Sequence, residues 1–400
     1  MPGSIEWRSE RTCRIIISDG RADGKKRTIR ETMTFSNGET KAHMLKLAEV
    51  CKAELYVQAK QGERTSGLQH TLKSFAQLWL AEHAPTEGLS PVTVSGYEHL
   101  LIGRIYPTIG QIKLHQLTPT HLTRFYRKLL TENGKAKSKS GNKPLSASTV
   151  LHYHRVIRAI LNTAVRWGVI PNNPALKASI PKNDAKRMKA YDPKQASSML
   201  EALTGELAIF QAGVLLGLLC QMRKGEIVGL DWASIDWDAQ TIAIKQSAVY
   251  LSGKGTIIKE TKTESGKRSL AAPTLVMTAL RALKSEQNKQ RIALGPDWID
   301  QGAVFTQWNG TRQHPDTISK WFHKFLQRHQ LPMIRFHDLR HTGASIMMNI
   351  MGEPVQIVAD RLGHSTSSIT MAFYSHGYAS KDRSASDDLN ALLTPEKVAK

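Results

Sequence analysis

In the first 60 residues the apolar positions run together and then space out. Ile15, Ile16 and Ile17 form a β-branched run between Arg14 and Ser18, followed by the turn signals Asp19-Gly20 and Asp23-Gly24. A second run opens at Lys25, Lys26 and Arg27 and continues through Phe35, and Asn37-Gly38 closes it. The spacing then becomes helical, with Ala42, Leu45, Leu47, Ala48, Cys51 and Leu55 in phase. A three-stranded sheet plus one helix fits this pattern. Residues 59–69 are polar and poor in apolar side chains, which suits a linker.

From residue 70 to 180 the pattern stays helical. One helix is expected over about Thr71 to Glu82, and another from Ser90, an N-cap followed by Pro91 at the first helical position. A third follows Thr118 and Pro119 to about Leu130, and a fourth starts after the cap Ser146 and runs to Trp167. Between the last two, residues 134–143 form a loop rich in Gly, Ser and Lys. Pro171 and Pro174 stop the fourth helix, and 175–190 reads as a basic connector.

Beyond it come helices at about 193–203 and 206–220, then strands at Thr241–Lys245, Thr256–Thr261 and Arg268–Ala271. Glu264, Ser265 and Gly266 are expected to turn between the last two strands, placing Lys262 at a hairpin tip. Helices follow at about 274–287, 316–329, 337–350, 354–361 and 367–373, and the tail from 376 is polar. The fold class is therefore multidomain, mainly α with small β-sheets. The domains are expected at 1–65, 66–184 and 185–385, with a tail at 386–400.

Charge sharpens this picture. The 400 residues carry 55 Lys and Arg against 34 Asp and Glu, a formal charge of +21. The surplus favours a polyanionic partner, with nucleic acid ahead of an acidic membrane surface. Residues 66–184 are the most lopsided, with 15 basic and 5 acidic side chains, which makes them the expected phosphate-gripping segment. Lys25, Lys26, Arg27, Lys135, Lys137, Lys139 and Lys143 are the candidate DNA contacts. The apolar stretch Ile209 to Met222 is too short to span a bilayer and reads as a buried helix. Cys13, Cys51 and Cys220 are too scattered for a disulfide framework. With no apolar leader, a cytoplasmic protein associated with the nucleoid is expected.

Chemistry on a phosphodiester needs cations around the phosphate, a nucleophile and a proton donor. His337 and Arg340 lie three apart at a helix start, a proton-transfer group beside a phosphate-binding fork. Two other readings stay open: a solvated helix start, and a metal site built on His337 and His341. Arg223 directly follows the buried helix, with Glu226 three residues on to orient it. Read alone, the pair is ordinary surface charge, and Lys262 is one of many hairpin lysines. His364 follows the helix end Leu362-Gly363, and Tyr374 ends a short apolar helix, where a tyrosine usually belongs to the core.

Taken in order, Arg223, Lys262, His337, Arg340, His364 and Tyr374 resemble the tyrosine recombinase, or phage-type integrase, family. The resemblance covers essentially the whole chain. It implies an arm-type DNA-binding domain at 1–65, a helical core-binding domain at 66–184 and a catalytic domain at 185–385. It also implies Tyr374 as nucleophile, Arg223, Arg340 and His364 on the phosphate, His337 as proton acceptor and Lys262 as proton donor. The partner would be double-stranded DNA at core and arm-type sites, held by a homotetramer on two duplexes with DNA-bending and excision accessory proteins. No cofactor and no metal are called for. A resolvase or topoisomerase-like strand-transferase and a non-catalytic DNA-binding regulator are the other readings.

Overall fold

The computed structural model describes residues 3–22, 25–35, 39–60, 70–131, 144–182, 190–260 and 266–363. The chain divides into two compact units, Met1–Ala185 and Lys186–Lys400.

The first unit opens with the antiparallel sheet β1 (Gly3–Ser9), β2 (Thr12–Ala22) and β3 (Lys25–Thr34), in that order. Cys13, Ile15 and Ile17 alternate onto the buried face, and α1 (Lys41–Lys60) packs there through Met44, Ala48 and Leu55. Two expectations need correction. Asp19-Gly20 does not end a strand, because β2 continues to Ala22 with a register shift between Ser18 and Arg21. An extra residue there bulges the ladder without breaking it. Leu45 is 51% exposed, because Met44, one residue earlier, takes the seam with Ala48 and Leu55. The side chains of Lys25, Lys26 and Arg27, together with Asn37 and Gly38, lie outside the described residues.

The helical part of this unit has four rods among its described residues. The first is α2 (Leu72–Leu78), a π-turn (Trp79–His83) and α3 (Ala84–Thr86). The second is α4 (Pro91–Leu100), a π-turn (Leu101–Ile105) and α5 (Tyr106–Ile109). The last two are α6 (Pro119–Thr131) and α7 (Ala147–Arg166). The hydroxyls of Thr71, Ser90 and Ser146 accept from backbone N–H groups three residues on, as N-caps do. Phe75, Trp79, Leu122, Phe125, Val150 and Ile157 fill the shared core. Two buried polar contacts cross it, Trp79 Nε1 to Thr163 Oγ1 at 3.0 Å and the Tyr126 hydroxyl with His154 Nδ1 at 3.0 Å. Residues 61–69 and the loop bearing Lys135, Lys137, Lys139 and Lys143 lie outside the described residues.

The second unit is built around α9 (Ala208–Leu218), which follows α8 (Pro193–Leu203) and precedes α10 (Lys224–Gly229). Helix α9 is apolar nearly all round, as the sequence implies, and Ala212, Val214, Leu216 and Leu218 are buried. Five strands follow: β4 (Ile235–Asp236), β5 (Thr241–Ile244), β6 (Gln246–Leu251), β7 (Gly255–Glu260) and β8 (Arg268–Ala271). The expected hairpin between the last two does not form. Strand β6, unread in the sequence, pairs with β7, while β8 pairs with β5 in the sheet β4-β5-β8. Ile242, Ile244 and Leu270 bury one face of that sheet, which gives β8 a partner β7 does not offer. Lys262 lies between strands of different sheets, outside the described residues, as do Glu264 and Ser265.

The unit closes with α11 (Thr274–Leu294), α12 (Asp316–Arg328), α13 (Asp338–Ile346) with a π-turn over Met347–Met351, and α14 (Val355–Leu362). Phe322, Phe325 and Leu339 pack with α9 in the main core. Helix α13 meets the end of α9 at Gly343, where an added Cβ would stand 2.1 Å from the Leu218 carbonyl oxygen. Backbone cannot yield as a side-chain tip does. Gly343→Ala should therefore cost about 1–3 kcal/mol, read as a lowered denaturant midpoint at unchanged slope. The helix expected at 367–373 and the tail, with His364 and Tyr374, lie outside the described residues.

Candidate active site

The site begins where α9 runs out. Gln221 takes a positive φ of 49°, uncommon for a residue with a side chain. Its amide nitrogen donates to the Leu218 and Leu219 carbonyls at 3.1 and 2.9 Å, satisfying groups the helix leaves unpaired. The turn delivers Arg223 in an extended conformation just before α10. Glu226, in the first turn of α10, accepts from the Arg223 backbone N–H at 2.8 Å and from its Nη1 at 2.8 Å. A carboxylate here also meets the positive end of a helix.

Glu226 is only 3% exposed, and a second arginine completes its neutralisation. Arg268, the first residue of β8, grips it with a two-pronged fork, Nη1 to Oε1 at 3.0 Å and Nη2 to Oε2 at 2.8 Å. Burial pushes the Glu226 carboxyl up, but the hydrogen bond and charge of Arg268, with those of Arg223, outweigh it and bring the pKa to about 2.

Arg340 reaches the same place from α13. It is 1% exposed and donates Nη1 to the Gln221 carbonyl at 2.6 Å and Nη2 to the Leu362 carbonyl. Arg223 Nη2 donates to the Gly363 carbonyl at 3.2 Å, and Arg268 Nε to the Arg361 carbonyl at 2.8 Å. Three guanidinium groups from three elements thus bind three successive carbonyls at the end of α14. Arg361 adds a return contact, Nε to Gln221 Oε1 at 3.0 Å. The Arg223 side chain keeps 38% of its surface accessible, so one arginine of the group faces solvent while Arg340 lies beneath.

His337 is exposed at the start of α13, its ring edge-on to His341 with centroids 5.0 Å apart. Its pKa is lowered, first by partial loss of water around the ring and then by the Arg340 charge. His341 is held lower, at about 4, by desolvation and then by His337. Asp338 between them is committed elsewhere, accepting from Arg335 N–H at 2.8 Å and from Arg335 Nη2 at 2.7 Å. Among the described residues no three His, Cys, Asp or Glu side chains converge as metal ligands.

Of the residues singled out in the sequence, Arg223, Glu226, His337 and Arg340 are brought to one end of this unit. Lys262, His364 and Tyr374 lie outside the described residues, although Gly363 immediately precedes His364. The sequence reading missed Arg268, Arg361 and Gln221. A signal for Arg268 existed: it stands two residues before Leu270, hence on the buried face of its strand, where a charge needs a partner.

A cluster of arginines beside a histidine of lowered pKa, on a mainly helical domain with a small sheet, is chemically suited to holding a phosphate group. The chain belongs to the phage integrase family of tyrosine recombinases. Residues 182–381 match the phage integrase family, 71–130 match "Phage integrase, N-terminal SAM-like domain" and 104–180 match "Phage integrase SAM-like domain". A tyrosine recombinase XerC-like protein of Caldanaerobacter subterraneus subsp. tengcongensis is 25% identical, covering 95% of this chain and 96% of its own. The Tn1549 transposon integrase, solved with a circular intermediate DNA, superposes with a TM-score of 0.64 at 20% identity, over 80% of this chain and 100% of that one. Lambda integrase, solved as a tetramer on a Holliday junction, gives 0.52 at 16% identity, over 92% and 97%. Among the described residues no helix is long and apolar enough to cross a membrane.

The ion pair has a pH signature. Because the folded pKa of Glu226 is depressed from 4.5 to about 2, its stabilisation is fully present above about pH 4.5 and is lost as pH falls toward 2. The loss should total roughly 3 kcal/mol. Glu226→Gln leaves Arg268 buried against a neutral partner and should cost about 3–5 kcal/mol at pH 7. Its denaturant midpoint should then vary less between pH 5 and pH 2.5 than that of the wild type.

Proposed function

We propose that this tyrosine recombinase is an integrase that cuts and rejoins double-stranded DNA at specific sites, moving a phage or other mobile element. The observation that carries the reading is the convergence of Arg223 and Arg340 on the turn that leads into His364, with His337 beside them. In the proposed reaction the Tyr374 hydroxyl attacks the scissile phosphorus and displaces the 5′-oxygen. A 3′-phosphotyrosyl bond forms as the phosphodiester bond breaks. The Tyr374 proton passes to His337, whose lowered pKa keeps a lone pair available at neutral pH. Lys262 protonates the departing 5′-oxygen, and His364 adds a hydrogen bond to the phosphate. The reverse steps join a new 5′-hydroxyl and return the proton to Tyr374. The bond energy is kept in the covalent link, so rejoining needs no external energy source.

Arg223 and Arg340 act on the non-bridging oxygens. Guanidinium forks suit that task because they are planar, permanently charged and already oriented. Residues 66–184 supply the nonspecific grip, consistent with their 15 basic against 5 acidic side chains. Residues 1–65 are proposed as the arm-type module, with Lys25, Lys26 and Arg27 among its DNA contacts, and the basic segment at 135–143 is proposed to add further backbone contacts. A tetramer on two duplexes is the proposed working assembly, a reading supported by the lambda integrase tetramer bound to a Holliday junction.

Tyr374→Phe should bind a nicked duplex carrying the site normally yet form no covalent adduct on a denaturing gel. An adduct from that variant would exclude Tyr374 as the nucleophile. Removing residues 1–65 should spare adduct formation at the core site and abolish recombination between sites, scored by a two-plasmid assay.

A further inference from the structure

Arg268 turns its hydrogen-bonding capacity inward. Its side chain is 8% exposed, so it is poorly placed to touch a DNA backbone itself. Two prongs hold Glu226, Nε holds the Arg361 carbonyl, and Nη1 also lies 3.4 Å from the Gly266 carbonyl. Resting on the recombinase reading above, we propose that Arg268 is a positioning residue for strand cleavage, acting through Glu226 and the end of α14 to fix Arg223.

The argument follows from what holds Arg223. Its side chain is 38% exposed, so packing leaves it free to swing. Its direction is set by two hydrogen bonds, to Glu226 Oε1 and to the Gly363 carbonyl. Both acceptors depend on Arg268. The Glu226 carboxylate is gripped directly, and Gly363 lies two residues beyond the carbonyl that Arg268 Nε binds. Without that fork, a buried carboxylate keeps Arg223 as its one arginine partner among the described contacts, and the turn loses its tie to β8.

The same guanidinium therefore sets both ends of the span on which Arg223 rests. Lysine at this position would keep the positive charge. Its single ammonium cannot lie coplanar with both carboxylate oxygens and also reach a carbonyl on its third side. Charge and geometry are thereby separable at one residue.

The test uses the full-length chain and nicked duplexes tiled across the DNA that flanks its own gene. Adduct formation is timed at saturating DNA, binding is read by gel shift, and folding by thermal melting. Arg268→Lys should bind within about twofold of wild type and cleave about 10- to 100-fold more slowly, the usual cost of losing a residue that orients a reacting group. In an Arg223→Ala background the further loss from Arg268→Lys should shrink to about threefold or less, because the two act as one unit. A purely structural role would let the two losses multiply in full, and that result overturns the proposal. Wild-type cleavage by Arg268→Lys overturns it as well. Should that variant melt below the assay temperature, Arg268→Gln carries the same comparison. If the wild-type chain forms no adduct on any duplex, the recombinase reading falls and takes this proposal with it, whereas the preceding outcomes leave that reading intact.

Discussion

The last turn of α14 leaves the carbonyls of Arg361, Leu362 and Gly363 pointing away from the helix, and three arginines answer them. Arg268 comes from β8, Arg340 from α13 and Arg223 from the junction of α9 and α10. A helix C-terminus carries partial negative charge, so cations are favoured there. Hydrogen bonds to charged donors are worth about 1.5–3 kcal/mol each when the alternative is an unsatisfied buried group. Elements far apart in sequence are thereby tied at one point. The helix that leads into His364 cannot shift without disturbing the arginines assigned to the phosphate.

Concentrating like charges has a cost, and the rest of the local structure offsets it. Glu226 is the one carboxylate that the described contacts place on this cluster, and it serves Arg223 and Arg268 together. Its burial would be unfavourable alone and becomes favourable because four donors converge on two oxygens. Helix α10, which carries it, is pinned at its far end. Arg312 donates to the Val228 carbonyl at 2.9 Å and pairs with Asp231, while Gln246 donates to the Gly229 carbonyl at 2.8 Å. At Gly229 an added Cβ would stand 2.9 Å from the Ala248 nitrogen, so the helix lies directly on β6. A short helix of six residues has little stability of its own and needs such anchors to hold a carboxylate in place.

The same construction explains the division of labour among the basic residues. Arg340 is buried and rigid, Arg223 is half open to solvent, and Arg268 is turned inward. Only a side chain with several donors in one plane can bind protein on one edge and still direct its charge toward a ligand. Loss of water first, and neighbouring charges second, keep His337 and His341 below their usual pKa.

Much of this was legible from local pattern. The strand and helix periods, the caps Ser90 and Ser146, the apolar helix before Arg223 and the spacing of His337 and Arg340 are short-range signals, and each corresponds to an element at nearly the expected place. Pairings between distant segments were not legible. Strand β8 chose β5 over β7, and Arg268 therefore entered the core beside Glu226, because register is decided by which faces can be buried together. Nothing within a few residues of Arg268 states that Glu226, 42 positions away, will be its partner. The sequence by itself determined the class of protein and singled out the residues proposed for the chemistry, since both are written in residue types and near spacing. Tertiary structure alone decided which arginine points outward, which stays buried and which supports the others, because those roles depend on long-range packing around one helix end.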